Sequence, residues 1–236
     1  MPITPLSKLK KPSKSAKKVT DDAQTKAIIS LRKDIKEIRS SEPKYLQGSI
    51  AETSMQNATP KAHILNALAQ GDTNITRDGV KMRWRWLSTR HIIKTNSALT
   101  GPSYIRVMLV RRKIPKGTSF NWAELFTSST PGLIDQFNWI TNDHHKFFDV
   151  IWDKSFKMGP ARVDYTSVSG HSTATPNEVI FEMHSRFNFV TDYSISNAGT
   201  VSDINLNALH LLCFTDNSTA NAMEHYCKYT LGGGDL

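Results

Sequence analysis

Two cysteines in 236 residues, Cys213 and Cys227, are too few for a disulfide framework. Neither sits in a CxxC pair or in a Cys/His spacing that would hold zinc, so both read as buried free thiols in a reducing compartment. They fall in the last two apolar segments, which could be neighbouring strands. No apolar run approaches the roughly 20 residues needed to span a bilayer, so no membrane partner is expected. The N-terminus has lysines but no apolar stretch behind them, which does not read as a secretory signal. Folding in the cytosol or nucleus is expected. GxSxG, P-loop and HExxH patterns are all missing, so no enzyme, cofactor or metal site is expected. Acids are missing too, but in one place. The first 18 residues, MPITPLSKLKKPSKSAKK, hold six lysines and no Asp or Glu.

What is present is concentrated positive charge. Residues 1–44 contain 12 Lys or Arg against 5 Asp or Glu, a balance of +7 in a chain of +9, which leaves the other 192 residues near neutrality at +2. A near-neutral body with one basic arm suits contact with a polyanion. Lysines that neutralise phosphates release condensed counterions, and that affinity needs no reading of base sequence. Lys8, Lys10, Lys11, Lys14, Lys17 and Lys18 are therefore the first candidate nucleic-acid contacts, kept extended by Pro5, Pro12 and the serines. KLKKPSKSAKK also reads as a nuclear-import signal, which would make the import machinery a partner. A solvated tail is the plain alternative.

Residues 1–20 lack periodicity and read as a disordered basic arm. From Asp21 the character changes. Ile28, Leu31, Ile35 and Ile38 follow a 3-4-3 spacing, one stripe of a helix over residues 21–40. Asp21 and Asp22 suit its positive end, Lys36 and Arg39 its negative end. Lys26, Arg32, Lys33 and Lys36 occupy the remaining surface and add to the candidate nucleic-acid contacts. Such a helix is marginal alone. Its narrow apolar stripe needs a partner, either its own domain or symmetry copies of itself.

Residues 41–231 read as one β domain and residues 232–236 as a flexible tail. Strands are expected at Tyr45–Glu52, Ala62–Ala69, Val80–Ile93, Ile105–Arg112, Phe147–Lys157, Val179–Val190, Ala208–Thr215 and Ala222–Thr230. In the third, Val80, Met82, Trp84 and Trp86 alternate with Lys81, Arg83 and Arg85, giving one apolar and one cationic face. Phe181, Met183, Phe187 and Phe189 share one face of the sixth. NWAELF offers a short helix capped by Asn121. Eight strands with only short internal helices make an all-β sandwich or barrel. The long connections at 158–177 and 191–207 favour a jelly roll.

Three stretches carry a resemblance: AQGDTNITRDGVKMRWRWLSTRHI, YIRVMLVRRKIPKGTSFNWAELF and QFNWITNDHHKFFDVIWDKSF. Their order, with the turn Arg77-Asp78-Gly79, the alternating strand, the loop Lys116-Gly117-Thr118 and the short helix, resembles the single jelly-roll coat proteins of satellite tobacco necrosis virus and of small circular single-stranded DNA viruses. The resemblance implies eight strands in two four-stranded antiparallel sheets. It implies a homo-oligomer, a T=1 icosahedral shell of 60 subunits with the arms inside, which would bring about 420 positive charges to the genome at one per phosphate. It places the third and sixth strands in one sheet with the first and eighth, one face of that sheet turned to the lumen. Lys81, Arg83 and Arg85 would then meet the genome, with His184 and Arg186 on a neighbouring strand. Trp84, Trp86, Phe187 and Phe189 would fill the core. The resemblance is closest to the single-stranded DNA capsids in length and in the import-like arm, which implies single-stranded DNA over RNA, a location in the virion, and host nucleus and cytoplasm on the way there.

Plain readings stand beside these. Lys81, Arg83 and Arg85 could be the ordinary solvated face of a half-buried strand. The two tryptophans could stack bases, but their period-two placement with Met82 favours packing in the core. Asp143-His144-His145 reads as a surface turn, and His171, His210 and His225 are scattered. Three rivals to a coat protein remain: a non-capsid nucleic-acid-binding β domain, a cellular jelly-roll binding protein, and a hydrolase on a β scaffold.

Overall fold

The computed structural model describes residues 22, 24–32, 43–55, 60–71, 76–114, 120–126, 140–160, 177–194, 199–219 and 221–236. The chain divides into two compact units, Met1–Glu42 and Pro43–Leu236. In the first, residues 24–32 are helical and all of them are exposed, Ile28 and Leu31 included. The six arm lysines, Lys33, Lys36, Ile35 and Ile38 lie outside the described residues. Among the described residues no helix is long and apolar enough to cross a membrane.

The second unit is an all-β jelly roll. Its strands are β1 (Pro43–Met55), β2 (Lys61–Ile64), β3 (Lys81–Thr95), β4 (Ser103–Arg112), β5 (Phe148–Met158), β6 (Glu178–Tyr193), β7 (Ile204–Leu206), β8 (Ala208–Thr215) and β9 (Met223–Asp235). They form a five-stranded sheet, β1-β9-β3-β6-β7, and a four-stranded sheet, β2-β8-β4-β5. All pairings are antiparallel. The expected four-and-four division gains one member. The three-residue β7 adds to the edge of β6 from within the 191–207 connection, and it is too short to show a periodicity. The two cysteines are buried and free, but β8 and β9 belong to different sheets, so they are not on neighbouring strands.

The two sheets are covered differently. Their inner faces share a core that includes Trp84, Leu87, Val107, Leu109, Leu211 and Leu231. A second cluster covers the outer face of the four-stranded sheet. There Met108, Val110, Leu212 and Phe214 pack under Leu125 and Phe126 of the β4–β5 connection. All eight residues of β8 are buried in consequence, as expected of a strand covered on both faces. The connection contains the expected short helix as a 3-10 turn at Trp122–Glu124, and the Asn121 side chain accepts a hydrogen bond from the Ala123 amide.

The carboxyl-terminal glycines correct the sequence reading. β9 does not stop at Thr230. Gly232, Gly233 and Gly234 lie between β1 and β3, and the Leu236 amide donates to the Lys81 carbonyl at 3.1 Å. Asp235 lies 3.6 Å from the buried Lys44 ammonium, which also meets Asp78 at 3.1 Å. A Cβ on Gly233 would stand 2.4 Å from the Arg83 carbonyl oxygen and 2.8 Å from the Trp84 ring. One on Gly232 would stand 2.3 Å from the Trp86 indole.

A polar chain crosses the core. The Thr89 hydroxyl meets His91 Nε2 at 2.8 Å, His91 Nδ1 meets His225 Nε2 at 3.0 Å, and His225 Nδ1 meets Cys213 Sγ at 3.0 Å. Burial lowers the His91 pKa to about 4 and the His225 pKa to about 3, and pushes the Cys213 thiol up. The rings are neutral and the thiol protonated, so the chain ties β3 and β9 to β8 without charge.

Two predictions follow from this packing. Gly233→Ala meets backbone that cannot yield and should cost about 1–3 kcal/mol. Gly232→Ala meets an indole that can swing aside and should cost less; paired melting curves order the two. The histidines predict acid sensitivity. A histidine whose folded pKa is depressed binds its proton more readily when unfolded, so stability present above about pH 6.5 is lost as pH falls toward 4. The melting temperature should fall across that window, less steeply in a His225→Gln variant.

Candidate nucleic-acid interface

The expected cationic face lies on the side of the five-stranded sheet that none of the described residues covers. Even positions of β3 are buried as far as Trp84, and odd positions from Leu87 onward. The change of phase is a register shift between Trp84 and Trp86 on both of β3's neighbours. A shift of this kind locally disrupts the ladder and re-aims side chains. Trp84 is fully buried and faces the core. Trp86 is half-buried and on the outer face, which corrects the expectation that it fills the core beside Trp84. Phe189 is buried in the core, and Phe187 packs against it, as expected.

Trp86 belongs to a row that crosses four strands. Tyr45 on β1 stands opposite Gly232 on β9, Gly232 opposite Trp86 on β3, and Trp86 opposite Arg186 on β6. The indole leans over Gly232 toward Tyr45, with ring centroids 6.3 Å apart and planes tilted by 50°. Arg85 and Arg186 border a depression of about 510 Å³ that Trp86 and His184 also line. A second depression, of about 300 Å³, lies across β1, β9 and β3 beside Gln47, Arg90, Lys228 and Thr230.

Charge on this face is uneven. Toward the far end of β3, Arg90 meets Glu182 at 3.5 Å and Lys94 meets Glu178 at 3.7 Å. These pairs are about half exposed or more and contribute little. Around Trp86 the balance differs. Among the described residues, no carboxylate lies within ion-pair distance of Lys81, Arg83, Arg85, Arg186 or Lys228. Asp192 stands opposite Lys81 in register. The face therefore presents cations and aromatic rings together, a surface suited to phosphate and base.

Other sequence candidates lie elsewhere. Lys26 and Arg32 are exposed on the helix of the first unit. His144 and His145 sit in a 3-10 turn, their Nδ1 atoms 2.7 and 3.0 Å from the carbonyls of Thr141 and Asn142 just before it. Arg77 of the Arg77-Asp78-Gly79 turn is a buried clamp. Its guanidinium donates to the carbonyls of Leu68, Gly79 and Ser194 and lies over the Tyr193 ring. Among the described residues, no group of three or more His, Cys, Asp or Glu is placed to hold a metal. Tyr45 and Lys228 belong to the face and were not singled out in the sequence. Each occupies a single alternating position on a strand that shows no run of cations.

No family model matches the sequence, and no curated protein matches it. Among solved structures, one of tomato aspermy virus is similar at 9% identity and a TM-score of 0.31, covering 81% of this chain and 78% of that one. One of infectious bursal disease virus, Gx strain, is similar at 10% identity and a TM-score of 0.27, covering 83% of this chain and 33% of that one.

The geometry predicts that charge removal on this face is structurally cheap. Arg83→Ala, Arg85→Ala and Arg186→Ala should each change stability by about 0.5 kcal/mol or less in melting curves. Arg112→Ala should cost more, because Arg112 is buried against Glu124 at 3.1 Å and lies over the Phe148 ring.

Proposed function

We propose that this chain is a viral coat protein that assembles into a small icosahedral shell, of 60 subunits, and packages a single-stranded genome. The division of charge carries the reading. Residues 1–42 hold 11 Lys or Arg against 5 Asp or Glu, a balance of +6, and the jelly-roll unit adds a face where Lys81, Arg83, Arg85 and Arg186 have no carboxylate partner among the described residues. Two features of one chain then favour the same polyanion. In a closed shell, open sheet faces turned inward would meet packaged phosphate, and the arms would lower the repulsion between those faces. Around the fivefold and threefold axes of such a shell, one surface of each subunit meets a different surface of the next. The exposed stripe containing Ile28 and Leu31 is a candidate for self-association, as a bundle on a threefold axis. Single-stranded DNA is the favoured cargo, and import by the lysine-rich arm places the protein in the host nucleus before assembly. Cytoplasm and virion are its other locations. A capsid role assigns the chain no catalysis.

Electron microscopy of the purified full-length protein should show shells of uniform diameter that contain nuclease-sensitive nucleic acid. Replacing the six arm lysines with alanine should lower the nucleic acid recovered per subunit several-fold. A small, solitary particle that binds nucleic acid would instead identify a nucleic-acid-binding β domain. One that ignores nucleic acid would point to a cellular binding protein. Ile28→Asp with Leu31→Asp should reduce the yield of shells while leaving the melting temperature of the β unit unchanged. Undiminished yield removes the bundle.

A further inference from the structure

We infer that Trp86, laid on Gly232 in the row Tyr45–Gly232–Trp86–Arg186, is a stacking platform for the bases of a single-stranded polynucleotide. The phosphates of that strand would run over Arg83, Arg85 and Arg186. The inference rests on the nucleic-acid reading above but not on shell assembly.

Three observations converge on it. First, the register shift re-aims an indole that strict alternation would have buried, and sets it on the cationic face. Second, Gly232 removes the side chain that would hold the ring upright. A Cβ there would fall within 2.6 Å of three indole atoms, so the ring lies down over the strand. One π face is then turned to the sheet and the other away from it. Third, the cations beside the ring have no acid within ion-pair distance among the described residues, so they are available to a ligand. Bases stack on aromatic faces with little regard to sequence, and cationic side chains track the backbone beside them. In a duplex the base faces are already occupied by each other, which selects the single strand. The depression of about 510 Å³ between Arg85, Trp86, His184 and Arg186 leaves room for a nucleotide against the ring.

The test uses full-length protein and fluorescently labelled oligothymidylate, read by anisotropy over a series of salt concentrations, with a duplex of equal length beside it. Trp86→Leu should weaken oligothymidylate binding about tenfold while leaving the slope against log salt and the duplex affinity unchanged. Trp86→Phe should retain most of the affinity. Gly232→Ala keeps the indole but lifts it from its seat, so it should weaken the single strand alone. It carries the test if Trp86→Leu fails to fold. Arg85→Ala combined with Arg186→Ala should instead flatten the salt slope by about 1.4. Equal affinity of wild type, Trp86→Leu and Gly232→Ala for oligothymidylate would overturn the platform, as would equal losses on single strand and duplex. Wild-type protein that binds oligothymidylate through Trp86 and forms no shell would sink the coat-protein reading and leave the platform standing. Shells from a Trp86→Leu chain whose single-strand affinity is unchanged would do the reverse.

Discussion

Two indoles two positions apart on β3 lie on opposite faces of the sheet, and each needs the neighbouring strand to offer no side chain. Gly232 meets that need for Trp86 and Gly233 for Trp84. The shift of register between the two tryptophans brings consecutive glycines under rings that sit on alternate sides. A Cβ at either position would force the rings or the backbone apart. β9 is central, hydrogen-bonded to β1 and β3. The seating of the indoles therefore fixes how the five-stranded sheet closes on its last strand. The anchor of Asp235 on Lys44 and Asp78 then holds the end of that strand. Burial pushes the Asp235 carboxyl up, and the Asp78 amide and the Lys44 ammonium oppose that shift.

Among the described residues the same sheet is open on its outer face, and the second apolar cluster lies on the four-stranded sheet. β4 and β8 are buried on both sides, and Phe126, Phe148 and Phe214 fill the space beneath the β4–β5 connection. Arginines on that side are structural. Arg106 makes a bidentate pair with Asp153 and lies over the Phe126 and Phe214 rings, and Arg112 pairs with Glu124. A guanidinium stacked on an aromatic face and paired with a carboxylate is committed to the fold. Among the described residues, Arg83 and Arg85 of β3 and Arg186 of β6 have no carboxylate within ion-pair distance, and Arg90 of β3 meets Glu182 only in an exposed pair. Residue type alone does not separate the two sets; sheet face does.

Much of this was legible in the chain. The alternation of Lys81, Met82, Arg83 and Trp84 reports a half-buried strand, and Ile105–Arg112 and Ala208–Thr215 read as strands, though not as strands covered on both faces. Asn121 marked its short helix. The misses share one cause, which is that pairing partners are not visible along a single strand. Trp86 keeps the period of Trp84 in sequence and loses it in space, because the register shift belongs to contacts with β6 and β9. GGGDL has the composition of a tail, and its strand character comes from the rings that rest on it. Arg77 looked like a turn residue, and only the fold supplies the three carbonyls that bury it. The face itself was readable as Lys81, Arg83, Arg85 and Arg186. Its aromatic part, Tyr45 with Trp86, required the sheet order.

A balance of +2 outside the first 44 residues suggests a featureless body, but it conceals a separation of charge. The carboxylates of the four-stranded sheet and its cover are used locally: Asp153 by Arg106, Glu124 by Arg112, and Asp149 by Arg111 and Lys113. Against the cost of burial, the hydrogen bonds of Arg111 and Lys113 hold Asp149 below the usual carboxylate range. On the lip of β1 and β2, Glu52 is shared by Lys61 and His63. Acids spent this way do not offset the cations around Trp86, which lie on the opposite sheet. Among the described residues, Arg83, Arg85 and Arg186 have no carboxylate within ion-pair distance, while Asp192 stands opposite Lys81 in register. Net charge therefore hides an uneven distribution, in which Arg83, Arg85 and Arg186 gather on one face while the arginines of the other sheet are paired.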